Sequence, residues 1–238
     1  MARFSRTPRA AAIVLVVVLT LAISAAPAAL AQLRDITLTL VRHAQSAGNA
    51  SGLIDSTTPG PVLTELGLRQ AESVTQTLRG KGRTYDALYA STMVRTQQTA
   101  QPMATALQEP VVVLPGIREI EAGDYEGFPE AEAATTYFQA PLRWLSGDRG
   151  ARIPGSIDGN EFDARYDDAV ATIYADTVGE PDPDVIAYSH GAAIMVWVAM
   201  NVRGVDVASL ATAPLQNTGY FVIRGNPTDG WDLITRSP

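Results

Sequence analysis

The sequence predicts an α/β fold, a three-layer sandwich with a mostly parallel open sheet and helices on both faces. Three observations carry this. Short runs of β-branched and apolar residues at 36–41, 85–90, 111–114 and 185–189 alternate with longer stretches of helical period. Two of the runs lead into a histidine, one through the pair Arg42-His43 and one directly at His190. The length of 238 residues, with 46% hydrophobic and 18% charged residues, suffices for one large α/β domain with its own core.

The first 31 residues read as a secretory signal. Arg3, Arg6 and Arg9 form a basic start, Ala10 to Ala26 an apolar run, and Ala29-Leu30-Ala31 a small-x-small cleavage site. Cleavage would leave Gln32 as the mature terminus and take the formal charge from −7 to −10. The alternative is an uncleaved N-terminal anchor, since the apolar run reaches the short limit of a membrane span. The expected place of the protein is therefore outside the cell or in the cell envelope, with a membrane tether if the leader stays. Residues 32–238 form the expected globular domain.

In that domain Ile36, Leu38 and Leu40 alternate with Thr37, Thr39 and Val41 as a strand. It ends at Arg42-His43 and a loop of small polar residues. Residues 52–61 are rich in Gly, Ser, Thr and Pro and form a loop. Thr64 is a candidate cap for a helix with the stripe Leu63, Leu66, Ala71, Val74 and Leu78, which Gly80 and Gly82 end. After the strand 85–90, Ser91-Thr92 read as caps of a helix starting near Met93, and Pro102 should bend or split it. A third strand, 111–114, leads to the acidic, glycine-punctuated loop 117–127. Residues 128–159 are uneven in composition, either an insertion over the pocket or a peripheral helix. A helix is expected over 161–178, faced by Phe162, Ala169, Ile173 and Tyr174. Glu180-Pro-Asp-Pro-Asp184 reads as a stiff linker rather than a calcium loop. Another helix follows over 192–200, and a hairpin over 219–224 and 231–235 closes the chain.

Composition narrows the chemistry. With no cysteine there are no disulfides or thiolate sites, and with only two histidines a His-rich metal centre is excluded. No cofactor or metal is called for. A net charge of −7 argues against a nucleic-acid partner. Lys occurs once, at Lys81, so nearly every cation is an arginine.

Strand-then-His occurs twice, and ligands of open α/β sheets bind beyond the carboxyl ends of strands. Arg42 offers a planar fork for phosphate oxygens, and His43 a base or nucleophile. His190 and the amide of Gly191 stand at a helix N-terminus, a natural anion site. Arg95 follows a strand at another helix start. Two arginines and two histidines at one sheet edge suit a phosphoryl group. By themselves His190 could be a satisfied core histidine and Arg95 a surface charge. Glu119 and Glu121 are chemically equivalent candidates for an acid.

The ordered blocks Arg42-His43-Ala44-Gln45-Ser46-x-x-Asn49, Leu63-Thr64-x-x-Gly67-x-x-Gln70-Ala71, Ser91-x-x-x-Arg95-Thr96-x-Gln98-Thr99-Ala100, Glu119-x-x-x-Gly123-x-Tyr125-Glu126-Gly127 and Ser189-His190-Gly191 resemble the histidine phosphatase superfamily (phosphoglycerate mutase-like). The likeness spans nearly all of 32–238. Ala44 stands where that family has glycine, and 153–156 with Glu161 only loosely match its Pro-Gly-Gly-Glu-Ser. The resemblance implies a metal-independent phosphatase of small phosphomonoesters. His43 would become phosphorylated, with Arg42, Arg95 and His190 holding the transferring oxygens. Glu119 would be the proton donor, and Ser46, Asn49 and Gly191 would bind phosphate. Asn49-Ala50-Ser51 also fits a glycosylation acceptor. The alternatives are phosphoglycerate mutase-type transfer, which the leader and the acidic Glu121 and Asp124 oppose, a phosphoprotein phosphatase, and a non-catalytic binding module, which the intact set of His43, Arg95, Glu119 and His190 opposes.

Overall fold

The computed structural model describes residues 34–238; the leader, 1–31, lies outside them. The elements follow in order. Strand β1 (Ile36–Arg42), the short helix α1 (Ala47–Ser51), α2 (Glu65–Gly80), β2 (Ala87–Ala90), α3 (Val94–Leu107) and β3 (Val111–Val113) come first. The acid loop makes two 3-10 turns at Pro115–Ile117 and Gly123–Tyr125, and a third covers Glu130–Thr135. Then come α4 (Gln139–Leu145), α5 (Gly159–Asp176), β4 (Asp184–Ser189), α6 (Gly191–Asn201), β5 (Val202–Arg203), α7 (Val207–Thr212), β6 (Tyr220–Asn226) and β7 (Gly230–Ser237).

One sheet holds seven strands in the order β3-β2-β4-β1-β6-β7-β5. β3, β2, β4 and β1 run parallel, while β6 pairs antiparallel with both β1 and β7. The expected mostly parallel sheet and closing hairpin are both present. The brief β5 and α7 have no clear period in sequence and only the structure reveals them.

The alternation in β1 becomes three layers because each strand face meets its own core. Ile36, Leu38 and Leu40 pack with Phe162, Tyr166, Ile194 and Trp197 on the α5–α6 side. Val41, with Ile186, Tyr188 and Val222, packs against Val74, Leu78, Ala100 and Met103 of α2 and α3. Leu38 and Leu40 are fully buried, and each such side chain contributes about 1.5–3 kcal/mol over an exposed one.

Several local expectations are corrected. Leu66 is 43% exposed; capping at Thr64 turns Gly67, Ala71, Val74 and Leu78 inward instead. Of the two outcomes expected at Pro102, a split does not occur: α3 runs unbroken through it. Packing of α3 on α2, β2 and β3 outweighs the one donor that proline removes. Ser91 is not the N-cap residue of α3: Met93 occupies that position without a side-chain bond of its own, while Ser91 Oγ accepts from the Met93 amide at 3.2 Å. Helix α5 begins two residues earlier than its period suggests, under a capping box formed by Asp158 and Glu161. The uneven region 128–159 divides in two. Glu130 to Phe138 borders the main cavity, and α4 packs on α5 through Trp144 stacked against Phe162.

Candidate active site

Register brings the chemistry together. In the parallel pair β1–β4, Arg42 lies opposite Ser189. The two strands therefore end level, and the His43 amide continues the ladder to Ser189 O at 3.0 Å. His43 and His190 consequently sit side by side, with ring centroids 5.1 Å apart. On the other side of β4, Ala90 lies opposite Tyr188, so Ser91 and the start of α3 reach the same edge. That places Arg95, only 3% exposed, over His43. Arg42, His43, Arg95 and Glu119 all line one cavity of about 530 Å³, together with Ser46, Asn49 and Gly191.

The protonation pattern follows from the contacts. His43 Nδ1 lies 2.7 Å from the carbonyl of Ala44, a contact that only an N–H can satisfy. The lone pair is thus on Nε2, and Arg95 Nε donates to it at 3.1 Å. Burial, then Arg95 and Arg42, hold the His43 pKa well below its ordinary value, so the imidazole stays neutral. His190 is pushed down in the same way, by burial first and then by Arg95 and His43. Its Nε2 lies 2.7 Å from Ser91 Oγ, while its Nδ1 is buried without a partner. Arg42 Nε and Arg95 Nη1 are also buried and unpartnered, although Arg42 Nη1 is anchored on Leu215 O at 2.6 Å. Buried donors are nearly always satisfied in folded proteins. Unused nitrogens of two arginines and a histidine beside an unprotonated imidazole match the several acceptor oxygens of a phosphoryl group.

The two carboxylate candidates separate. Glu119 lines the cavity and accepts from the amides of Ala193 at 2.8 Å and Ala192 at 3.3 Å, at the start of α6. Burial raises its pKa, against the pull of the Ile120 and Ala193 amides. Glu121 points elsewhere, bonded to Arg118 at 2.8 Å and Arg165 at 3.3 Å. Neither it nor Asp124 borders the cavity, so the acidity expected from those two residues is supplied by others, Asp55 and Glu130.

Ser46 and Asn49 build the wall through each other. Ser46 Oγ accepts from the Asn49 amide at 3.2 Å, and Asn49 Oδ1 accepts from the Ser46 amide at 3.2 Å, a capping box on α1. Asn217 Nδ2 joins them, donating to Asn49 Oδ1 at 3.2 Å and His43 O at 3.0 Å. Gly191 leaves room for Arg42; a Cβ there would lie 3.1 Å from Arg42 Nε.

The remaining sequence blocks support the loop that follows His43. Gln70 Oε1 accepts from the Gln45 amide at 2.8 Å, and Thr64 Oγ1 donates to Gln45 Oε1 at 2.8 Å. Thr99 Oγ1 accepts from the Ala44 amide at 3.0 Å. Gly67 passes so close that a Cβ would stand 2.0 Å from Gln45 O. Sequence reasoning missed the partner roles of Ser91, Asp55, Leu215 and Asn217. Ser91 stood in a quoted block and was assigned to a cap. The others lie in irregular loops without a periodic signal. Among the described residues no group of three His, Asp or Glu side chains is arranged as metal ligands.

The model of the histidine phosphatase superfamily (branch 1) matches residues 38–235. The PE-PGRS family protein PE_PGRS11 of Mycobacterium tuberculosis is 39% identical over 213 residues, 85% of this chain. The chain spans only 36% of that relative's length. The probable phosphoglycerate mutase GpmB of Yersinia pestis is 33% identical over 155 residues, 65% of this chain and 69% of that protein. Among solved structures, mycobacterial glucosyl-3-phosphoglycerate phosphatase in complex with VO3 superposes with a TM-score of 0.67 at 25% identity, covering 83% of this chain and 96% of that one.

Proposed function

We propose that this chain, which belongs to branch 1 of the histidine phosphatase superfamily, hydrolyses phosphomonoesters through a phosphohistidine at His43. The observation that carries the reading is the unprotonated Nε2 of His43 beside Arg95, Arg42 and His190. The first step forms a bond from Nε2 to phosphorus and breaks the ester P–O bond. An arriving phosphoryl oxygen takes over the Arg95 N–H, and Arg42, Arg95 and His190 hold the equatorial oxygens. Glu119, its pKa raised by burial, gives its proton to the leaving alcohol oxygen. Water then attacks phosphorus, Glu119 takes a proton from it, and the P–N bond breaks to release phosphate and His43. The arginines supply the charge that a metal would otherwise bring, and turnover is expected to survive chelation. Rapid quench with 32P-labelled substrate tests the reading. Acid-labile label on His43, absent in His43→Ala, supports it; label on a serine or an aspartate overturns it.

The likeness to a probable phosphoglycerate mutase favours a second reading, in which the phosphohistidine returns its phosphoryl group to a second substrate hydroxyl. Phosphate release without phosphoryl transfer between sugar acids separates the two. The leader supports a further proposal, that the protein is exported. N-terminal sequencing of native material, expected to begin at Gln32, is the check.

A further inference from the structure

The charges around the cavity are unbalanced beyond the phosphate position. Arg42 and Arg95 are the cations that line it, facing Asp55, Glu119 and Glu130. A phosphate dianion engages both arginines, and Asp55 already lies 3.9 Å from Arg95 Nη1. Glu119 is the proton carrier. Glu130 is left over. Its amide is fixed on Gly52 O at 2.8 Å, its side chain is exposed, and it makes no ion pair among the described residues. Burial lowers the Arg42 pKa while the charges of Glu119 and then Glu130 raise it, so Glu130 shares the field of the reacting centre. The rest of the lining carries no further charge: it includes the apolar Leu53, Phe138, Met195 and Leu215 and the neutral amides Gln45 and Gln216. The nearest arginines of the acid loop and of α5 are engaged elsewhere: Arg118 and Arg165 both bind Glu121.

We infer that this cavity selects monophosphate esters whose alcohol part carries no negative charge, and that Glu130 is the residue that rejects acidic ones. The inference rests on the phosphomonoesterase reading and narrows its substrate class. An alcohol with a carboxylate or a second phosphate would bring its charge against Glu130, with no further cation lining the cavity among the described residues to meet it. A neutral alcohol meets apolar side chains and uncharged polar ones such as Gln45, Gln216 and Asn217 without repulsion, and an ammonium group gains a carboxylate partner. Sugar acids are thereby disfavoured, whatever related proteins accept.

Non-hydrolysable phosphonates test this independently of turnover. Propylphosphonate, 3-aminopropylphosphonate and 3-phosphonopropionate each carry three carbons on phosphorus and end in a methyl, an ammonium and a carboxylate group. Calorimetric titration should give a Kd for the carboxylate form about tenfold weaker than for the propyl form, the scale of one charge–charge contact at a partly solvated site. The ammonium form should bind at least as tightly as the propyl form. Glu130→Gln should close the gap between carboxylate and propyl forms, and Glu130→Lys should reverse it. Equal or tighter binding of the carboxylate form by the native protein overturns the inference. So does a gap that persists in Glu130→Gln, or the absence of binding by all three. Failure to form labelled His43 with correctly ordered affinities would instead sink the phosphatase reading alone.

Discussion

Arg95 Nε donates to His43 Nε2 across 3.1 Å, and this contact identifies the nitrogen that carries the lone pair. The same guanidinium, with burial, keeps the ring from taking a proton. A lowered histidine pKa means that the neutral, nucleophilic form persists below the usual value of about 6.5. After correction for the substrate's own second ionisation, kcat/KM should therefore hold through pH 6.5 on the acid side. A titration of His43 followed by NMR should show no protonation near pH 6.5. A step there would contradict the assigned geometry.

Glu119 has the opposite sign. Its raised pKa keeps the proton that it must donate, and donation fails as pH rises through that value. Glu119→Gln keeps the size but has no proton to give. An alkoxide needs protonation to leave and a nitrophenolate does not. The substitution should slow alkyl phosphate hydrolysis about a hundred- to ten-thousandfold and 4-nitrophenyl phosphate far less, and the alkaline fall with alkyl phosphates should vanish. Glu121→Gln, which touches only Arg118 and Arg165, should not reproduce the leaving-group dependence. Equal losses on both substrates in Glu119→Gln would reduce that residue to a structural part.

Ser91 holds His190 by the 2.7 Å contact to Nε2 and so fixes the ring whose Nδ1 is left unpartnered beside His43. Ser91→Ala should weaken inorganic phosphate binding about fivefold to tenfold, the worth of one hydrogen bond to a positioned group. Ser91→Thr should recover part of it. Unchanged phosphate affinity in Ser91→Ala would show that packing alone positions His190.

Gly67→Ala should cost stability although alanine is the better helix former. The added Cβ would stand 2.0 Å from Gln45 O, a backbone clash that no rotamer relieves. A loss of about 1–3 kcal/mol is expected, with a fall in kcat/KM because Gln45 lies two residues from His43. Gly80→Ala is the control. A Cβ there meets nothing within 4 Å, so denaturant titration should show little change.

What could be read in the chain and what could not divides along the range of the interactions. Alternation in β1, the cap at Thr64 and the glycines that end α2 are local signals set by backbone geometry, and the order of the blocks is a resemblance to a family. They were enough for the layers of the fold and for Arg42, His43, Arg95 and His190 as one group. The outward turn of Leu66 and the unsplit course of α3 through Pro102 are places where packing overrode a local preference. Other features depend on distant segments meeting. The choice of Glu119 over Glu121 was decided by Arg165 of α5 and the amides at the start of α6, residues 44 to 74 positions away. The donor that meets His43 Nε2 was decided by where α3 carries Arg95, and the partners of Asn49 by the loop before β6. A sequence records which groups a chain possesses and the period in which they come. Only strand register and helix packing decide which of two identical carboxylates loses its water and which finds an arginine.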